Sequence, residues 1–312
     1  MTKRINMLPK IEMGNVPNII LLGNGINRVD ISDSKESWKD FLTDIATEDF
    51  KGRLGDIEDM PYPLRPIVVT GDNIKAQLEK KAIKLLPHGL SKEYSEFIRG
   101  FTDLSFDAIL TTNYTYELEQ SILPGFSCAF KRPNKYRKTS VDGNKLEEQL
   151  GVFKYFSLPV NDKNSMVWHI HGEAARPNSM VLGHYYYGNL LSVIQQRIPH
   201  ILSSLSICSK KDISFQPKSW IDYFMLGNVY IVGFGMEFSE MDIWWMVNCK
   251  RRRFHDFGKI VYYEPKCKET QNRSKCELAR AYKIEMPDLE FDGNYMKYYE
   301  CVIRDIKKGI IH

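Results

Sequence analysis

The 312-residue chain has few cysteines and no long apolar run, and each of these absences excludes a class of protein. The six cysteines, at positions 128, 208, 249, 267, 276 and 301, include no pair at the C-x-x-C spacing of a zinc ribbon or a thioredoxin-like dithiol. They read as buried thiols, and a disulfide framework, which suits a small secreted chain, is not expected. No stretch approaches the ~20 apolar residues that cross a bilayer, and runs such as 229–232 have the length of buried strands. No membrane partner is therefore expected. The first residues, MTKRINMLPKIEMGNVPN, have no apolar segment behind their early basic positions, so no secretory signal is read and the cytoplasm is the expected compartment. A dominant charge sign is lacking too: 43 Lys and Arg stand against 39 Asp and Glu. Direct nucleic-acid binding has only the basic runs 131–138 and 250–253 behind it and is not expected.

The chain does have the composition of a folded protein, 43% apolar and 12% aromatic. Strands are predicted at 18–22, 106–111, 167–170, 179–182, 228–232 and 259–263. Helices are predicted at 35–45, 75–86, 93–101, 116–122, 145–150, 188–206 and from about 240. Strands that stop in glycines or polar clusters and alternate with helices indicate a parallel sheet covered on both faces. The expected architecture is an α/β, Rossmann-like, mainly parallel sheet in a single domain over 1–312. Its core spans about 18–30, 104–125 and 165–265, with a helical insertion at 35–103, an irregular lobe at 126–164 and a Lys-rich tail at 266–312.

Chemistry concentrates at four strand ends. In Leu21-Leu-Gly-Asn-Gly-Ile-Asn27 a buried strand meets glycines that admit backbone N–H groups to a phosphate, with a helix N-terminus expected behind the turn. The third glycine of a dehydrogenase fingerprint is replaced by Arg28, which argues against hydride transfer. The same glycines could serve chain geometry alone. In Thr111-Thr112-Asn113-Tyr114 the asparagine offers a donor and an acceptor at the carboxyl end of a strand, for a ribose hydroxyl, a water or a helix cap. Trp168-His169-Ile-His171-Gly172 would aim two imidazoles from one strand face. A metal reading lacks a third ligand, whereas a general base needs only one of them, and His171 beside its glycine is the better placed. In Val232-Gly233-Phe234-Gly235 a nucleotide can approach closely, with Glu237 or Asp242 accepting from ribose or adenine.

In this order the four segments resemble the SIR2-like domains of bacterial antiphage proteins, more distantly the sirtuins, and the AbiH-type abortive-infection proteins. The resemblance covers about residues 18–265. It implies that Gly23, Asn24, Gly25, Ile26 and Asn27 contact the NAD+ phosphates, and that Asn113, flanked by Thr112, lies by the nicotinamide ribose. It further implies that His171 is the catalytic base, with His169 beside it, and that Gly233, Phe234 and Gly235 face the adenosine side. The two C-x-x-C pairs of sirtuins are missing, which disfavours protein deacylation, and Thr115 stands where sirtuins carry Asp.

The expected function is that of an NAD+ glycohydrolase, releasing nicotinamide and ADP-ribose as an NAD-depleting effector in antiphage abortive infection. NAD+ is the substrate, no metal is required, and His171 acts as a neutral base near pH 7. Because uncontrolled hydrolysis would poison the cell, a separately encoded sensor or regulatory protein, or a homo-oligomer, is expected to restrain it. Trp244-Trp245 and Lys250–Arg253 are candidate contact surfaces. The alternative is a non-catalytic module that senses NAD+ or ADP-ribose.

Overall fold

Strand β1 (Asn18–Leu22) lies inside the sheet because four of its five residues are apolar and buried, so both its faces demand cover. The computed structural model describes residues 5–29, 38–85, 90–160, 163–265 and 273–310. The first residues of the helix predicted from 35, the end of the helix predicted to 86, and Cys267 lie outside the described residues. Within them the helical insertion carries α1 (Trp38–Ile45), α2 (Arg65–Thr70), α3 (Ile74–Lys84) and α4 (Lys92–Thr102). The chain then runs through β2 (Ala108–Thr111), α5 (Glu117–Ile122), β3 (Arg137–Thr139), α6 (Lys145–Leu150), β4 (Lys154–Val160) and β5 (Lys163–His169). Next come α7 (His184–Lys211), α8 (Trp220–Leu226), β6 (Asn228–Val232), α9 (Met241–Arg253), β7 (Ile260–Tyr263), α10 (Arg273–Ala281) and α11 (Tyr295–Ile310).

The described residues build one sheet of seven strands in the order β3-β4-β5-β2-β1-β6-β7. The run from β5 to β7 is parallel, and β4 and β3 add an antiparallel edge. This is a Rossmann-like α/β fold, as the sequence pattern predicts. From β1 the chain first builds outward through β2 and later returns to β1's other side as β6. The loops after β1 and β6 therefore flank a topological switch point, where open α/β sheets bind ligands.

Strand alternation sends Ile19, Leu21, Leu110 and Trp168 to one face, which packs on α7, α8 and α9. Ile20, Leu22, Ile109 and Val167 go to the other, against α4 and α11. The helices α1 to α3 form their own cluster around Phe41, Leu42, Ile45 and Leu78, joined to the sheet through Met180 and Leu182.

Three expectations are corrected. The lobe predicted to be irregular supplies the antiparallel edge, since β4 sends Tyr155 to one face of the sheet and Phe156 and Leu158 to the other. Residues 179–182 are not a strand: a 3-10 turn at Pro177–Ser179 leads into extended chain that makes one ladder-like bond, Val181 N–H to His171 O, at 2.7 Å. The tail is partly core, because α11 buries Tyr298, Tyr299, Val302 and Ile306 against the sheet while its lysines face out.

Among the described residues, no helix is long and apolar enough to cross a membrane.

Candidate functional site

The turns after β1 and β6 lock into each other. Gly23 N–H donates to Val232 O at 3.0 Å, and Gly25 N–H donates to Gly233 O at 2.7 Å. A Cβ on Gly23 would stand 2.5 Å from both Gly233 O and Phe234 Cα, and one on Gly25 would stand 2.7 Å from Gly233 O. Both glycines are thus required by the packing of two backbones, and their amides already have acceptors. This corrects the expectation that these N–H groups are open to a phosphate. The element behind the turn is also a six-residue 3-10 helix, Asn24–Val29, so the dipole expected there is short. Asn24 is exposed and Gly25 half-buried at the rim, whereas Ile26 and Asn27 point inward. Asn27 Oδ1 accepts from Tyr94 O–H at 3.0 Å, and the Tyr299 hydroxyl lies against Gly25.

The polar end of β2 fixes Asn113. Thr112 N–H extends the ladder to Leu22 O at 3.2 Å, and Thr111 Oγ1 receives the Asn113 N–H at 3.0 Å while donating to Leu22 O. The Asn113 side chain gives its amide to Gly23 O at 3.4 Å, and its Oδ1 is buried without a hydrogen-bond partner. A buried acceptor in that state costs on the order of 1–3 kcal/mol unless a ligand or water satisfies it.

His169 and His171 do not share an environment, in contrast to the strand-based expectation. β5 ends at His169, and the Gly172 N–H turns back to His169 O at 3.0 Å with Gly172 at φ +90°. His169 goes under the β2 loop: Nδ1 donates to Asn113 O at 2.7 Å and Nε2 to Glu119 Oε1 at 2.8 Å. Burial opposes the charge on this ring, but Glu119 and Glu173 outweigh it and hold the imidazolium up to about 9. With both nitrogens donating, His169 has no lone pair for proton transfer or for a ligand. It braces the backbone of Asn113. Against burial, Arg137, His169 and Arg176 hold the Glu173 carboxyl below its ordinary range, and Glu173 also takes a bond from Tyr116 O–H at 2.8 Å.

His171 instead faces α9. Its Nε2 meets Asp242 Oδ2 at 2.8 Å, and its ring stands edge-on to Tyr187 with centroids 5.5 Å apart. Asp242 occupies the first turn of α9, where the helix dipole favours an anion. Its Oδ1 is buried and unpartnered. Tyr187 O–H donates to Glu240 Oε2 at 3.0 Å. Burial lowers the His171 proton affinity, yet Asp242 and then Glu240 raise it further than burial takes away, so the net shift is upward. The imidazolium is therefore favoured more than in an ordinary histidine. Nε2 is committed to Asp242, and Nδ1 is the nitrogen left for a substrate.

Asp242 therefore touches the histidine and does not stand alone as a ribose acceptor. Glu237 is exposed at the rim, 3.7 Å from Lys275 Nζ, and its carbonyl receives Trp244 Nε1 at 3.0 Å. Phe234 is half-buried and Gly235 exposed, its carbonyl held by Lys275 Nζ at 2.7 Å. Two of the candidate contact residues are inward: Trp244 is buried, and Lys250 Nζ donates to Met225 O and Phe257 O. Glu119, Tyr187, Glu240 and Tyr299 are additions that sequence reasoning missed. Of these only Glu240, two residues before Asp242 at a helix start, carried a local signal.

With the geometry in hand, comparison with known families detects a SIR2-like domain at residues 107–215. The matched segment contains Asn113, His169 and His171, and ends before the glycine turn after β6. SIR2-like domains are NAD-dependent enzymes, and the match points to NAD-related chemistry. No curated protein matches the chain.

Proposed function

We propose that this protein hydrolyses the nicotinamide–ribose bond of NAD+, using His171 as general base and Asn113 to orient the ribose and the water. The observation that carries the reading is the dyad of His171 and Asp242 at the same sheet edge as the unpartnered Asn113 Oδ1. In the reaction the C–N electron pair leaves with the ring nitrogen, giving neutral nicotinamide, and positive charge develops on the ribose. A water held by Asn113 adds to that carbon, and its proton passes to His171 Nδ1. Asp242 fixes the ring and stabilises the imidazolium that forms, the role a buried acid plays behind a catalytic histidine. Glu119 and His169 hold the Asn113 backbone from below.

The same reading extends to an NAD-depleting effector of antiphage defence, restrained by a separate regulatory protein or by self-assembly. What supports the extension is the resemblance of the four strand-end motifs. The test is nicotinamide release from NAD+ by the purified protein, alone and with lysate of phage-infected cells. Release establishes the hydrolase, and dependence on infected lysate establishes a trigger. NAD+ that binds but stays intact under every condition would leave a nucleotide-sensing module in its place.

A further inference from the structure

Among the described residues, the other buried acids are each met by a cation. Glu173 has Arg137 at 2.5 Å and Arg176 at 3.6 Å, Asp222 has Arg197 at 2.7 Å, and Glu119 has His169 at 2.8 Å. Glu240 and Asp242 are different. With His171 they each offer one atom to a cluster in which all such atoms lie within 4.8 Å of one another. Among the described residues no lysine or arginine is paired with either acid, so one imidazole faces two carboxyl groups. Independently, Asp242 Oδ1 is fully enclosed and accepts no hydrogen bond. The cluster sets two acids against one imidazole, Asp242 lacks one partner, and burial raises the Glu240 carboxyl above its ordinary range.

Its neighbours are aromatic. Tyr187 stands edge-on to His171 and bonds Glu240, and the buried Tyr114, its hydroxyl tied to Val181 O at 3.0 Å, feels the field of both acids. Carboxylates combined with aromatic rings suit an organic cation, which gains from both.

We propose that Glu240 and Asp242 form the counter-charge for a cationic aromatic ring, the pyridinium of an oxidised nicotinamide dinucleotide, with Tyr187 and Tyr114 beside it. The inference rests on the dinucleotide reading above and adds a charge selection to it. The reduced dinucleotide, whose ring is neutral, gains no attraction from the two carboxyl groups and binds less well. When the glycosidic bond breaks, the positive charge moves from the ring to the ribose, and the same two carboxyl groups then face the developing cation.

The experiment is equilibrium binding of carbocyclic NAD+, whose C–N bond does not hydrolyse, and of NADH, to the wild-type protein and to Glu240→Gln, with and without EDTA. The wild type is expected to favour the cationic ligand by about tenfold or more, the equivalent of one modest charge interaction. Glu240→Gln is expected to lose most of that preference while its NADH affinity, which also reports a folded site, stays the same. Equal binding of the two ligands to wild type overturns the charge selection and leaves the dinucleotide reading intact. A full preference in Glu240→Gln overturns the role of Glu240, and a preference that is absent without EDTA and emerges only with it assigns the cluster to a metal ion instead. Binding of neither ligand defeats the dinucleotide reading itself. Should Glu240→Gln fail to fold, competition of 1-methylnicotinamide against nicotinamide on wild type decides: a stronger cation supports the proposal, and parity overturns it.

Discussion

His171 Nε2 and Asp242 Oδ2 meet at 2.8 Å across 71 residues of sequence, joining the turn after β5 to the first turn of α9. The pair gives the protein a histidine whose orientation is fixed from one side and whose other nitrogen is left for a substrate.

Replacing Asp242 by Asn removes the anion that favours the imidazolium. A base works only when neutral, so wild-type activity rises with pH through a His171 pKa above the ordinary 6.5. In Asp242→Asn that limb moves to lower pH, and kcat falls by roughly 10²-fold. A pH–rate profile of both proteins checks this, and an unmoved limb would place the titrating group elsewhere.

Gly23→Ala introduces a methyl against backbone that cannot move independently of the sheet. A loss of about 1–3 kcal/mol in unfolding free energy is expected, as for overpacking of a tight site. Denaturant titration measures it. Wild-type stability in this variant would mean that the two turns are not locked as described.

Two buried groups pull the pH dependence of stability in opposite directions. His169 is raised to about 9, so its contribution is full below an unfolded value near 6.5 and is lost as pH rises through 9. Lys250 is lowered by burial to about 7, so the folded state holds it neutral while the unfolded state still binds a proton, and stability rises with pH between about 7 and 10.5. Each limiting slope is about 1.4 kcal/mol per pH unit. Glu119→Gln is expected to remove the descending component and Lys250→Met the ascending one, read from chemical denaturation at pH 6 to 10. Parallel curves for wild type and Lys250→Met would show that this lysine stays charged inside.

Tyr94→Phe leaves Asn27 Oδ1 buried without its donor. A cost of about 1–3 kcal/mol is expected, visible as a lower melting temperature. An unchanged melting temperature would show that another group or a water replaces the hydroxyl.

Much of the sheet was legible because its central strands are uninterrupted apolar runs that end in glycine or asparagine. The β1 and β6 limits, 18–22 and 228–232, coincide with the predicted ones. The antiparallel edge was hidden because Lys, Asn and Gly around 131–162 resemble loop composition, while β4 draws its stability from pairing with β5. The role of α11 was hidden by its lysines, which mask the buried stripe of Tyr298, Tyr299, Val302 and Ile306. At the site, Asn113 and His171 were legible as polar residues at strand ends. The separation of the two histidines was not, since it depends on a turn at Gly172 that breaks strand parity. Pairings such as His169 with Glu119 span 50 residues and carry no local pattern.

The central claim is tested most directly by following nicotinamide release from NAD+ with wild type, Asn113→Ala and His171→Ala side by side, under whichever condition activates the wild type. Release by wild type that falls by roughly 10²–10⁴-fold in His171→Ala, and comparably in Asn113→Ala, with all three proteins folded, is the predicted result. Release that persists unchanged in His171→Ala would contradict the account, because no other group described here has both the position and the free nitrogen to serve as the base.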